Sequence, residues 1–164
     1  MLIETKNLKT RTAAEIDIEF LSEIQTNQLV KKYTGGVLDT YENTVAHIKK
    51  NPRLLDIFNI IELKETSALI GIFAFLPNQH LSQEELLISL LPDYWGKGYG
   101  SELLSEVKEH WLTTKGMYQM YATVAPENKA SIKMPEKEGF TLVEEYTEPF
   151  RQKQYIYKYE KTRT

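Results

Sequence analysis

Three glycines at alternate positions, Gly96, Gly98 and Gly100, stand in the run Asp93-Tyr94-Trp95-Gly96-Lys97-Gly98-Tyr99-Gly100-Ser101-Glu102. The run separates a largely apolar stretch, Leu86 to Leu91, from a segment of helical periodicity. Strand, glycine-rich turn and helix in that order present unpaired main-chain N–H groups and the positive end of a helix dipole, an arrangement suited to binding a phosphate. Glycine lets the backbone approach such an anion with no Cβ in the way. Two familiar phosphate loops do not fit. A Walker loop needs its lysine after the helix glycine, whereas Lys97 precedes Gly98, and the dinucleotide fingerprint needs a third glycine where Ser101 stands.

The elements that position this turn follow from periodicity. Residues 2–10 predict a first strand, and Ile16, Phe20, Leu21 and Ile24 fall near one helical face. A second helix is expected from a Thr40 cap through Tyr41, Val45 and Ile48, ending before Pro52. The stretch between these helices, Asn27 to Asp39, reads as a loop with Gly35-Gly36 as its flexible point. Ile57 to Lys64 and Ala68 to Leu76 predict a hairpin, and Leu86 to Leu91 a central strand covered on both faces. Beyond the glycines, Leu103, Leu104, Val107 and Trp111 recur at helical spacing until Lys115-Gly116. Tyr118, Met120, Ala122 and Val124 alternate as a strand does; a short helix capped by Asn128 and closed by Gly139 follows, and strands around 140–146 and 152–159 complete the chain. The expected fold class is α/β (α+β): one domain over 1–164, in the order β-α-α-β-β-β-α-β-α-β-β, with a strongly twisted mixed sheet of about six or seven strands.

Composition narrows the chemistry. The chain has no cysteine, which removes disulfides, thiolate metal sites and cysteine nucleophiles. His47, His80 and His110 lie far apart in no ligand spacing, so no metal is expected. Twenty Lys+Arg against 23 Asp+Glu give a net charge of −3, which disfavours sequence-independent nucleic-acid binding. No apolar run approaches the roughly 18 residues of a membrane span, and the start lacks a signal-peptide pattern, so a cytoplasmic chain with no membrane partner is expected.

Trp95-Gly96-Lys97-Gly98-Tyr99-Gly100 resembles the [Q/R]-x-x-G-x-[G/A] turn of the GNAT family, the GCN5-related N-acetyltransferases, with Trp95 in place of the first Gln or Arg. That departure is similar to the RimJ/RimL branch, whose P-x-Y-W-G-K-G-Y run matches Pro92 to Tyr99. A second element of that branch, N-x-x-S followed by G-F, is matched by Asn128, Ser131, Gly139 and Phe140. The resemblance covers residues 57–147 well and the N-terminal part in outline.

It implies acetyl-CoA as acetyl donor, with no metal. The pyrophosphate would rest on the main chain of Gly96, Lys97, Gly98, Tyr99, Gly100 and Ser101, with Lys97 adding charge. The pantetheine arm would pair with Ile88, Ser89 and Leu90, and an N–H near Leu90 or Leu91 would meet the thioester carbonyl. Asn128 would bond the arm, although an Asn there also reads as a plain helix cap.

The commoner GNAT proton donor is a tyrosine where this chain has Pro135, so the resemblance turns to Ser131, which otherwise reads as a first-turn helix serine. Pro135 lacks the N–H that would bond the Ser131 carbonyl, which predicts a kink or an early break. Glu85 matches the branch's acid and is the candidate general base, with Glu84 as its rival; either otherwise reads as a solvated strand-end residue. The implied activity is acetyl transfer to a primary amine, on a small molecule or a protein N-terminus, by direct attack on the thioester. The family's tendency to dimers adds a homodimer as an expectation. A competing reading, an acyl-CoA-binding module without transfer chemistry, draws on Pro135 and the uncertain base. A third, a nucleotide-binding domain using the same glycines, predicts protection by ATP or NAD instead of CoA.

Overall fold

The structure, a computed structural model, describes residues 1–34, 39–126, 128–147 and 153–162. Gly35-Gly36, read from sequence as a flexible point, lie outside the described residues. The elements are β1 (Leu8–Thr12), α1 (Ile18–Thr26), α2 (Gln28–Thr34), α3 (Tyr41–Lys50), β2 (Phe58–Leu63), β3 (Leu69–Asn78), β4 (Gln83–Leu90), α4 (Tyr99–Thr114), β5 (Gln119–Val124), α5 (Lys129–Lys137), β6 (Thr141–Thr147) and β7 (Lys153–Glu160), with short 3₁₀ turns at Glu15–Asp17, Pro52–Asp56 and Pro92–Tyr94. They form a seven-stranded sheet in the order β1-β2-β3-β4-β5-β7-β6. Every neighbouring pair is antiparallel except β4 with β5.

Both faces of the central sheet are covered. Ile60 and Ile61, adjacent on β2, join different hydrophobic clusters, as do Ile72 and Phe73 on β3, because successive side chains point to opposite faces. Leu103, Leu104 and Val107 of α4 pack on one face with Phe73, Met120 and Tyr157, and Leu21, Ile24 and Ile48 of α1 and α3 pack on the other. Each fully buried Leu or Ile contributes roughly 1.5–3 kcal/mol of transfer free energy. Tyr157 is buried and Tyr155 and Tyr159 pack beside it, so the period-two tyrosines of β7 are one core-facing stripe.

Three sequence expectations are corrected. The first strand starts at Leu8 instead of residue 2, although Glu4 bridges Lys9 just before it. Helix α1 begins at Ile18, so Ile16 falls on the preceding 3₁₀ turn and is exposed, while Ile18 joins Leu21 and Ile24 inside. Asp17 ends that turn, buried and held bidentately by Arg11 at 2.6 and 2.8 Å. Part of the expected loop is helix α2, which Asn27 caps by accepting the N–H of Leu29 and of Val30, each at 3.1 Å. The N-terminal region therefore contributes three helices where two were expected.

Helix α3 matches its reading: the Thr40 hydroxyl accepts the Asn43 N–H at 3.1 Å, and the helix ends before Pro52. The early break expected at Pro135 does not occur, since α5 runs two residues further, to Lys137. Its C-terminal end is secured instead by Lys108 of α4, whose ammonium donates to the Glu138 carbonyl at 2.9 Å. No helix among the described residues is long and apolar enough to cross a membrane.

Candidate active site

The parallel pair β4–β5 is short. Its register holds only at Glu85↔Tyr121 and Leu86↔Ala122, after which the two strands part. Two cavities occupy the gap. An inner chamber of about 390 Å³ includes Glu85, Ile88, Ser89, Thr123, Asn128, Ser131 and Pro135 in its wall. An outer groove of about 220 Å³ runs along Leu90, Trp95, Gly96, Gly98, Gly100 and Ser101. Val30, Ile88, Ser89, Asn128, Ser131 and Met134 line both, so the two spaces meet at these residues.

The outer groove is built by the glycine turn. Gly98 is the N-cap of α4 with φ +82°, and Gly96 has φ +73°; a Cβ on either would meet nothing within 4 Å. Positive φ, more than crowding, therefore demands glycine at both, and open space lies before them. Gly100 differs, since a Cβ there would come 2.9 Å from Met134 Sδ of α5, and that flexible side chain would have to shift to admit it. No side chain caps α4, and the helix ladder resumes only at the Glu102 N–H, which donates to the Gly98 carbonyl at 3.0 Å. The amides of Tyr99, Gly100 and Ser101 are thus the open first-turn donors of a 16-residue helix.

Glu102, the acid that could have folded back to cap this end, is drawn away. It accepts from the Asn7 main chain at 2.7 Å, from Asn7 Nδ2 at 2.9 Å and from the Thr5 hydroxyl. Burial pushes its carboxyl up, but the bonds from Asn7 and Thr5 outweigh that and hold it below the ordinary carboxylate value.

Strand β4 supplies the groove's other edge. The Leu91 N–H donates to the Ile70 carbonyl at 2.8 Å, and β3–β4 pairing then alternates, with Ser89 opposite Ile72 and Leu87 opposite Ala74. In an antiparallel ladder the intervening residues, Leu90 and Ile88, turn their main-chain groups away from the partner, here toward the gap. Of the two amides considered for the thioester carbonyl, Leu91 is committed to the sheet, which leaves Leu90; the main chain of Ser89 likewise belongs to the ladder. Trp95 adds a contact that sequence reasoning missed: its indole Nε1–H donates to the Leu90 carbonyl at 2.7 Å.

On α5, Asn128 is the N-cap, accepting the Ser131 N–H at 3.3 Å, and it also lines both cavities. Cap and site wall are therefore compatible roles. Pro135 is buried and faces the inner chamber. Glu85 lies in the chamber wall and accepts Asn78 Nδ2 at 2.8 Å, whereas Glu84, its neighbour on the alternate face, lines a separate pocket beside Trp111. Strand parity thus separates the two carboxylates. The Lys97 ammonium stands 5.7 Å from the Tyr94 ring centroid and, like the Tyr99 side chain, is not part of the groove wall. Tyr157 is no candidate donor: burial and its bond to Glu136, 3.1 Å long, push its phenol up to about 12.

Chamber residues that sequence reasoning did not single out include Val30, Asn78, Tyr146 and Gln154. The ring of Tyr146 stacks on His80 at 3.7 Å, and His80 pairs with Glu144 at 2.7 Å, tying the β3–β4 turn to β6.

Comparison with known proteins agrees with this layout. Residues 7–141 match the family model described as an acetyltransferase (GNAT) domain, so the match reaches back beyond residue 57. The uncharacterised N-acetyltransferase YoaA of Bacillus subtilis is 27% identical over 146 residues, spanning 85% of this chain and 82% of YoaA. An acetyltransferase (GNAT family) from Bacillus anthracis superposes with a TM-score of 0.83 at 24% identity, covering 98% of each chain. Spermidine N-acetyltransferase from Vibrio cholerae, solved with CoA and spermine, gives 0.75 at 19% identity over 92% of this chain and 94% of its own. RimL, the ribosomal L7/L12 alpha-N-protein acetyltransferase solved with coenzyme A, gives 0.76 at 16% identity over 98% of both. At these identities the solved structures establish the shared fold. With most of its length inside the family model and an open, glycine-framed helix start beside parting strands, this chain belongs to the GNAT acetyltransferase family.

Proposed function

We propose that the chain transfers an acetyl group from acetyl-CoA to a primary amine. The observation that carries this reading is the continuity of the uncapped α4 start with the space between β4 and β5 through residues common to both cavities. The residues present suit the donor: open amides for a pyrophosphate and outward-turned strand groups for an amide-bearing arm. Acetyl-CoA supplies an acyl group already activated as a thioester.

The amides of Tyr99, Gly100 and Ser101 hold the pyrophosphate, with Gly96 and Gly98 admitting it closely. The Ile88 main chain pairs with the pantetheine arm, and the Leu90 N–H, its carbonyl being taken by Trp95, stabilises charge developing on the acyl oxygen, a contact of a kind worth about 2.7–4 kcal/mol in other enzymes. Glu85 takes the proton of the incoming amine, directly or through water, and Ser131 supplies one to the departing sulfur. Support for Ser131 is its place at the junction of the two cavities. Support for Glu85 is its place in the chamber wall, oriented by Asn78. The neighbours named for spermidine and for a ribosomal protein are consistent with an amine acceptor, on either a small molecule or a protein N-terminus.

A melting series with acetyl-CoA, CoA, ATP and NAD tests the donor. A ligand at a hundred times its dissociation constant adds about 2.7 kcal/mol to apparent stability. Acetyl-CoA and CoA are expected to raise the midpoint and ATP and NAD to leave it, and the reverse order would sink the reading. Thiol release with an amine panel then tests transfer. The buried Pro135, where the commoner family pattern has tyrosine, favours a second reading, an acyl-CoA-binding module; tight acetyl-CoA binding without turnover of any amine would select it.

A further inference from the structure

Resting on the acetyl-transfer reading, the inner chamber says more about its acceptor. Its sheet wall is formed by Phe58, Ile72, Leu76 and Leu87, on the face that α1 and α2 cover with Ile24 and Val30. Among the described residues, the charged side chains in its lining are one carboxylate, Glu85, and one ammonium, Lys31. One Glu85 oxygen, Oε2, already accepts from Asn78. The remaining polar side chains there are uncharged, Gln25 and Gln154 among them, and the Tyr146 ring is held in place by stacking on His80.

We propose that the acceptor carries a single primary ammonium on a compact apolar body, and that this enzyme discriminates against diamines and polyamines. A single charge finds a single carboxylate. A second ammonium inside the chamber would meet, among the described residues, apolar wall, neutral amides such as Gln25 and Gln154, or Lys31, none of which neutralises its charge, so its desolvation goes largely uncompensated. An apolar body replaces water along Phe58, Ile72 and Leu76 and gains affinity with the area covered. The same chemistry is offered by a free arylalkylamine and by the α-amine of a peptide whose first side chain is apolar.

The test is calorimetric titration of the protein saturated with CoA, a complex that cannot turn over. The probes are 2-phenylethylamine, 1,4-diaminobutane, spermidine, and tripeptide amides starting with Phe or Ser. The expected result is that 2-phenylethylamine or the Phe peptide binds at least about tenfold more tightly than either polycation; whichever of the two binds better identifies the source. Gln25→Glu, a half-buried site that adds a second carboxylate, is expected to narrow or invert that ratio. Wild-type protein that binds spermidine or diaminobutane as tightly as the monoamines, or that binds none of the probes, overturns the inference. Both outcomes are read after CoA binding has been recorded in the same cell, so loss of the donor reading shows separately, as absent CoA heat.

Discussion

The indole of Trp95 donates its one hydrogen bond to the carbonyl of Leu90, 2.7 Å away, on the strand end that borders the outer groove. The residue that departs from the usual family turn thereby fixes the last outward-facing peptide of β4. Trp95→Phe keeps most of the ring and removes the donor. A bond of this type contributes about 0.5–1.5 kcal/mol to stability, so the melting temperature is expected to fall by a few degrees, and affinity for acetyl-CoA to fall as well because the Leu90 peptide loses its fixed orientation. Titration of both proteins with CoA checks this; equal affinities would reduce the contact to decoration.

Gly98 and Gly100 are expected to fail differently. Alanine at position 98 must hold φ +82° with open space around its methyl, so the cost is backbone strain of about 1–2 kcal/mol and a reoriented first amide. CoA affinity should drop more than stability. Alanine at position 100 meets Met134 Sδ, so stability should drop, and Met134→Ala in the same chain should recover part of it. Thermal melts and CoA titrations of the three variants separate strain from crowding.

Ser131→Ala is expected to leave CoA binding within about twofold and to lower kcat by at least about a hundredfold, the low side of a general-acid contribution. Because the Ser131 main chain, not its hydroxyl, is what Asn128 caps, the helix should persist, which circular dichroism can verify. An unchanged kcat would remove the serine from the chemistry.

Acid stability should follow Asp17. The hydrogen bonds from Arg11 hold its carboxyl below the ordinary value against the opposing effect of burial. Its contribution is therefore complete above the unfolded-state value, about 4, and is lost as pH falls through the lower folded one. Asp17→Asn should cost about 2 kcal/mol at neutral pH, less than a fully buried pair because Arg11 stays partly solvated. Its stability should also vary less with pH between about 4 and the folded value, which urea melts at several pH values would show.

Much of this layout was readable from residue types. Thr40 and Pro52 bracket α3, Asn128 and Gly139 bracket α5, and the glycine turn marks the start of α4. Helix α2 was hidden because Gly35-Gly36 dominated the reading of its neighbourhood, although Asn27 carried a cap signal. Ile16 misled because helical periodicity does not reveal where a helix begins; the Arg11–Asp17 pair does, and it depends on tertiary contact. The choice between Glu84 and Glu85 needed strand parity, and the choice between Leu90 and Leu91 needed the ladder with β3. Tyr146 and Gln154 reach the chamber from strands distant in sequence, which no local pattern encodes.

The two hydrophobic clusters divide the molecule along its sheet. Helix α4, which starts at the glycine turn, rests on one cluster, and α1, whose Ile24 and Gln25 line the chamber, rests on the other. Substitutions on this face of α1 are therefore separated from the glycine turn by a layer of β-structure. If the proposed donor site holds, a lineage can drift toward new nucleophiles through α1 while its grip on a shared metabolic currency stays intact.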